Sequence, residues 1–446
     1  MFSIIKASDV SKLYSDYPYL TDFEDKHLLF NKRDHYILPR YFKQNHPKAA
    51  EYVKLWEDEE FIPQDIDIKF IGSLRSEQVP IANFLLDVYS DKGSVNGILK
   101  AKPGFGKTVC AAYLTATLKK KTLIILDNSK LVQQWQDAYL QFTDLKEEDI
   151  GFIIGQEFNP RSVTITMVQS LISKVKSNIR DFYLKMRDAG FDLIFFDETH
   201  KTSSGPKFAL SSLFLNTKNI IGLSATPYGD ELHSFFMKNI IGDILYEFTE
   251  YDNVPDVYFI NYKSGLAKQH FWRIAKSTDY IKRVSYYNKI IPESKIYLDV
   301  ILKLTTKLIA SNRKTIIIVF TIDQLHKIVQ HLRDHDISPR PLYSQEQFVD
   351  KENDNVIVAT YKLASHGFDY SELSCLILAT PLKGRTSIIQ TIGRILRKHD
   401  GKKNPLVFDL IDNDFGNIFT ETIHAKKAII SKEFKVQDYH NIDYNM

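Results

Sequence analysis

Residues 97–108 read GILKAKPGFGKT, and this stretch decides the fold. The strand-like GILK at Gly97–Lys100 runs into a glycine-bearing loop, AKPGFGKT at Ala101–Thr108. A helix-like, amphipathic segment follows at Thr108–Leu118. Strand, glycine loop and helix in that order are the setting of a phosphate-binding loop. Gly104 and Gly106 let the backbone curl until its N–H groups face a phosphate. Lys107 can reach β- and γ-phosphates, the Thr108 hydroxyl can ligate Mg²⁺, and the helix N-terminus adds a favourable dipole. Ala101 stands where the strict pattern has its first glycine. Outside this setting a Gly-Lys-Thr would be an ordinary turn.

Outward from the loop, short apolar runs alternate with helix-like segments. The runs are TLIIL at Thr122–Leu126, SVTIT at Ser162–Thr166, LIFF at Leu193–Phe196 and IIGL at Ile220–Leu223. Ser129–Phe142 is a further amphipathic stretch. Strands that are apolar on both faces and alternate with helices indicate an α/β fold with a parallel sheet. The same grammar restarts after residue 310, with TIIIVF at Thr315–Phe320, NVIVA at Asn355–Ala359, CLILA at Cys375–Ala379 and LVFDL at Leu406–Leu410. Two tandem α/β domains are therefore expected, at 67–254 and 255–446, joined near Tyr251–Asp256, where YDNVPD carries Asp, Asn and Pro. Residues 1–66 break the alternation and are expected to form a small separate domain. They hold NKRDHYILPRYFK at Asn31–Lys43, then an acidic, helix-like piece at Lys48–Phe61.

At 446 residues the chain is long enough to bury several cores without staples. Its two cysteines, Cys110 and Cys375, argue against a disulfide framework or a Cys-rich zinc site and fit a reducing compartment. No apolar run approaches the ~18 residues of a membrane span, and the N-terminus lacks a secretory signal. A cytoplasmic location is expected, that of the host cell if the chain is viral. Net charge is +3, which excludes a histone-like tail protein. Residues 256–446 carry 28 basic against 21 acidic residues, and residues 1–255 carry 30 against 34. A basic second half fits a polyanion partner, although a solvated surface would look the same.

Three more segments carry chemistry. FDLIFFDETH at Phe191–His200 ends a strand in two carboxylates, where α/β ligand sites lie. Asp197 can hold Mg²⁺ through water, and Glu198 can polarise an attacking water. SAT at Ser224–Thr226 ends another strand before Pro227. QTIGRILR at Gln390–Arg397 spaces Arg394 and Arg397 three apart, so that on a helix both guanidiniums would point at one anion.

The ordered set resembles superfamily 2 helicases and translocases. It runs Gln78, AKPGFGKT, ILDNSKLVQQW at Ile125–Trp135, DETH, SAT, VIVATYKLASHGFDY at Val356–Tyr370, and QTIGRILR. The resemblance covers about residues 70–412. It implies two RecA-like domains with ATP and Mg²⁺ as cofactors. Gln78 would recognise adenine, helped by Arg75. Lys107 and Thr108 would be the phosphate and magnesium ligands, with Gly104 and Gly106 in the loop. Asp197 and Glu198 would be the metal-binding and water-activating carboxylates. His200, Ser224, Thr226 and Gln390 would couple nucleotide state to movement. Gly367 and Asp369 would contact ATP and nucleic acid, and Arg394 and Arg397 would be arginine fingers. DETH departs from both DEAD and DEAH.

LVQQW at Leu131–Trp135 resembles the double-stranded-DNA translocase and repair branch. The compact build, with ILPRYF at Ile37–Phe42, is similar to bacteriophage recombination helicases of the UvsW type, which migrate branched DNA. The resemblance thus implies an ATP-dependent DNA helicase or translocase acting on Holliday junctions and forks in recombination, repair or replication. The partner would be branched or duplex DNA, with no membrane; protein partners stay open, and the chain could act as a monomer. An RNA or R-loop helicase, or a remodeller of protein–DNA complexes that does not unwind, are the alternatives. Lys32, Arg33, Arg40 and Lys43 lie among Tyr36, Tyr41 and Phe42. They are expected either to grip duplex DNA at the branch point or to pack a small core.

Overall fold

The computed structural model describes residues 2–17, 30–32, 35–56, 61–199, 212, 215–227, 231–251, 253–343, 354–364, 370–397, 399 and 401–444. The chain divides into two compact units, Met1–Phe248 and Thr249–Met446. The expected joint at 254/255 falls in the link between the last strand of the first unit and the first strand of the second.

The first unit holds two sheets. The smaller is antiparallel, built from β1 (Phe2–Lys6), β2 (Phe30–Lys32), β3 (His35–Leu38) and β4 (Val53–Trp56) in the order β2-β3-β1-β4. The described part of the piece at Lys48–Phe61, residues 48–56 and 61, does not form the expected helix. Pro47 opens only a 3₁₀ turn, Pro47–Glu51, and Val53–Trp56 then pairs with β1 and buries Val53 opposite Ile5. That ladder satisfies the backbone and outweighs the helical composition of the segment.

The small sheet does not stand apart. Ile5, Leu13, Leu38, Phe42 and Val53 share one apolar cluster with Met237, Ile240 and Ile241 of the rest of the unit. Arg40 is buried, and its guanidinium donates to the backbone carbonyls of Leu215 and Thr217.

The larger sheet contains β5 (Asn96–Ala101), β6 (Thr122–Leu126), β7 (Ile150–Ile153), β8 (Val163–Met167), β9 (Leu193–Asp197), β10 (Ile220–Ser224) and β11 (Ile244–Phe248). All are parallel, in the order β11-β5-β10-β9-β6-β8-β7. The central strands β6, β9 and β10 are buried along their whole length, as continuous apolar runs require.

The second unit repeats the plan with β12 (Asp256–Tyr262), β13 (Thr315–Val319), β14 (Arg340–Leu342), β15 (Val356–Thr360), β16 (Cys375–Leu378), β17 (Leu406–Asp412) and β18 (Tyr439–Asp443). Its sheet is also parallel, ordered β14-β15-β13-β16-β17-β12-β18. The tandem RecA-like expectation is met. A buried ion pair, Lys426 Nζ to Asp409 at 2.7 Å, fixes the long helix Gly416–Phe434 against β17.

Candidate nucleotide site

Sheet order brings the separate motifs of the first unit together. β10 lies between β5 and β9, and its Leu223 is level with Leu99 on one side and Asp197 on the other. The glycine loop, the Asp-Glu pair and Ser224–Thr226 therefore leave adjacent strands at the same end.

The loop is braced from its own core. Phe105 is fully buried and its ring lies 5.1 Å from that of Phe248. Gly104 and Gly106 take left-handed φ values of 77° and 84°. Gln78 is 1% exposed and uses both ends of its carboxamide on this brace. Its Oε1 accepts from Arg75 N–H at 2.8 Å, and its Nε2 donates to the carbonyls of Phe105 and Gly106 at 2.8 and 3.3 Å. Arg75 donates to the carbonyls of Gly104 and Phe105. A Cβ on residue 106 would collide with Gln78 Nε2 and the Arg75 guanidinium. The left-handed φ favours glycine there, and any other residue would also push the Gln78 and Arg75 side-chain ends aside. Carbonyls tied back in this way hold the loop curled, as an anion nest requires, while the Lys102 and Phe105 N–H groups are spent on the carbonyls of Phe248 and Lys102 at 3.0 and 3.3 Å.

Lys107 opens the helix Lys107–Leu118 and donates to the Ala101 carbonyl at 3.3 Å. Thr108 is the next residue on the same turn. Asp197 is pushed up to about 6, by burial first and then by the Glu198 carboxylate, against the opposing pull of Lys107. Its Oδ2 accepts from the Trp135 indole N–H at 2.9 Å and its Oδ1 from the Glu198 backbone N–H at 2.9 Å. Glu198 sits at φ 46°, a left-handed position costing a residue with a Cβ about 1 kcal/mol. Such strain concentrates where a side chain must be aimed. Ser224 and Thr226 are buried, and Ser224 Oγ accepts from Thr226 N–H at 3.1 Å.

Sequence reading missed the part played by Trp135. It noted LVQQW as a family mark, yet a fully buried Trp in an otherwise amphipathic helix already asks for an indole N–H acceptor. The reading also overestimated Arg40 and Phe42 as DNA-gripping residues. Arg40 is consumed by two carbonyls, and Phe42 is buried with its ring stacked 4.0 Å from that of His46. The side chains of Lys32, Arg33 and Tyr36 lie outside the described residues.

In the second unit, Gln390 and Arg394 are buried on the helix Arg385–Ile395. The helix closes with Leu396 as its C-cap, so Arg397 lies beyond it and does not share a helical face with Arg394 as the spacing suggested. Burial pulls the Arg397 guanidinium down to about 10. Lys402, which the sequence did not single out, donates to the carbonyls of Ser371 and Arg397 at 2.8 and 2.6 Å. Burial, and then Arg397, pull it down to about 8. His200, Gly367 and Asp369 lie outside the described residues.

Residues 71–229 match the family described as Type III restriction enzyme, res subunit. The protein 161L of Invertebrate iridescent virus 6, a helicase by name, is 27% identical over 369 residues, spanning 78% of this chain and 79% of that one. The ATP-dependent Type ISP restriction-modification enzyme LlaBIII bound to DNA superposes with a TM-score of 0.59 at 14% identity, over 84% of this chain and 31% of that one. S. cerevisiae Dbp5 bound to RNA and ADP BeF3 superposes with a TM-score of 0.55 at 13% identity, over 83% and 94%. The two structures speak for the fold alone. The viral relative, a helicase by name, and the family match over residues 71–229 agree with the resemblance to superfamily 2 helicases that the ordered motifs carry.

Proposed function

We propose that this chain is an ATP-driven nucleic-acid helicase or translocase whose track is DNA and whose preferred substrate is branched: four-way junctions and forks, as for UvsW-type proteins. The observation that supports it most is the convergence of the glycine loop, Asp197–Glu198 and Ser224–Thr226 at one end of three adjacent strands.

The residues present fit ATP with Mg²⁺. Gly104 and Gly106 curl the loop through left-handed φ values, and Asp197 is a buried carboxylate whose charge a cation would relieve. When bound, the magnesium nucleotide supplies the phosphoryl group to be transferred and neutralises part of its charge. The loop N–H groups and Lys107 would hold its phosphates, and Thr108 and Asp197 would hold the metal. Glu198 orients a water and takes its proton. Gln78 and Arg75 keep the loop curled, so their engagement with adenine would exchange hydrogen bonds already made to it. Arg394 and Arg397 keep the role that the resemblance implies for them, that of arginine fingers.

DNA is favoured over RNA by LVQQW. LlaBIII is bound to DNA and Dbp5 to RNA, so the solved structures favour neither. The test is ATP turnover and strand separation measured side by side on a four-way junction, a fork, a plain duplex and an RNA duplex. Highest turnover and unwinding on the junction and fork support the proposal. Stimulation by RNA alone, or turnover without strand separation, selects one of the two alternatives.

A further inference from the structure

We infer that the helix pair Ala267–Ala275 and Tyr280–Ile290 of the second unit is a strand-contacting surface, on which Trp272 stacks an unpaired base flanked by phosphates held by Lys268 and Lys276. The inference rests on the nucleic-acid reading above and deepens it, since none of the helicase motifs includes these residues.

Charge singles the segment out. Residues 256–446 carry 28 basic against 21 acidic residues, yet between Lys263 and Ile290 alone there are seven basic and one acidic. Nearly all of the excess positive charge thus sits in this one stretch. Its single acid, Asp279, is engaged as the N-cap of the second helix, accepting from Ile281 and Lys282 N–H groups at 2.8 and 3.3 Å. Lys263, Lys268, Arg273, Lys276, Lys282 and Lys289 are all exposed.

Trp272 is 74% exposed, the sole aromatic among the exposed large apolar side chains of the described residues. Leaving so large a ring in water forfeits about 2 kcal/mol of burial, which a partner can recover. Lys268, Trp272 and Lys276 follow at four-residue spacing, so they line one face with a rise of about 6 Å between neighbours.

The platform is rigid beneath them. Ile274 and Val284 are each 1% exposed. The Arg273 guanidinium lies 4.5 Å over the Tyr286 ring, and that residue's hydroxyl is 3.1 Å from His270 Nδ1. A helical platform fixed in this way loses little entropy on binding. Lysines on both sides of an exposed aromatic are the pattern of grooves that track single strands. They are depleted from the cores of protein interfaces. Nucleic acid is therefore the occupant favoured over a protein.

The test uses the full chain with a labelled oligothymidylate, a fork and a blunt duplex. Trp272→Ala should weaken binding to the oligothymidylate and the fork by at least about fivefold, the lower end for one base that no longer stacks, while changing blunt-duplex binding less. Lys268→Glu with Lys276→Glu should flatten the salt dependence of oligothymidylate binding by about 1.4 in log–log slope, the change expected when two phosphates are no longer neutralised. On a Trp56→Phe background the oligothymidylate should quench tryptophan emission, and adding Trp272→Phe should remove that quenching, since the remaining tryptophan, Trp135, is buried. Equal melting temperatures establish that the variants are folded. If wild type binds and all three variants bind and quench as it does, the inference is overturned and the surface serves a protein or none. If wild type binds no nucleic acid at all, the proposed function fails with it.

Discussion

Replacing Asp197 by Asn should make the nucleotide-free protein more stable at pH 8 while ending its catalysis. The carboxyl is held at about 6 against an ordinary 3.8, mainly by burial. A shift of about two units is worth about 3 kcal/mol of charge burial at any pH above both values. Asn keeps the shape and can still accept from the Trp135 indole. Its single oxygen cannot also accept from Glu198 N–H, so that bond is lost, which takes back about 1 kcal/mol. The net gain is about 2 kcal/mol, or roughly 4–8 °C in the transition of a unit of this size.

The sign with pH follows from the raised value. The fold favours the protonated acid, so wild type has its full stability below about 4 and loses it as pH rises from 4 to 6. Asn does not titrate, so its advantage should be present at pH 8 and gone at pH 4.5. The assay is calorimetric or circular-dichroism melting of both proteins, without nucleotide and in chelator, at pH 4.5, 6 and 8. Titrating groups that do not face Asp197, such as Asp412, cancel in the difference. An Asn variant that gains nothing at pH 8, or gains equally at pH 4.5, refutes a destabilised carboxylate at this position. Magnesium nucleotide should then raise the melting temperature of wild type and not of the variant.

Lys107→Ala should lower ATP turnover by at least roughly 10²-fold with melting unchanged, because the clamp on transferring phosphate is removed; turnover near wild type would displace the site. Glu198→Gln should cost roughly 10²–10⁴ in turnover, as loss of a general base does, while nucleotide and nucleic acid still bind; normal hydrolysis would put the base elsewhere. Arg394→Ala and Arg397→Ala should each cut turnover by roughly 10³-fold with nucleotide affinity changed less than tenfold; loss of affinity alone would make them ground-state ligands.

The central strands were legible because burial on both faces leaves uninterrupted apolar runs: TLIIL at Thr122–Leu126 coincides with its strand. The edges were not. β11 is partly exposed along its length and β18 largely so, and an edge strand of mixed polarity has no period to read. The loop and the Asp-Glu pair were legible because phosphate chemistry allows few residue types. Their bracing was not, because it pairs Gln78 with Phe105 and Trp135 with Asp197 across 27 and 62 residues of chain. A single sequence shows what each residue can donate or accept, but not across what distance in the chain it does so.

Basic residues among aromatics occur twice, at residues 31–43 and 263–289, and composition treats the two alike. Burial separates them. Arg40 is 5% exposed and donates to two backbone carbonyls, where its guanidinium fork, not its charge, matters. Desolvation lowers its pKa, which shows how costly that placement is for a cation. An arginine so placed cements the small sheet to the first unit and offers little to a phosphate in water. Between 263 and 289 the ammonium groups are in solvent and the aromatic beside them is exposed. Charge of that kind steers a polyanion, because its counterions are free to leave. The contrast is thus between a cation spent inside the first unit, at Arg40, and cations left in solvent on the helix pair of the second.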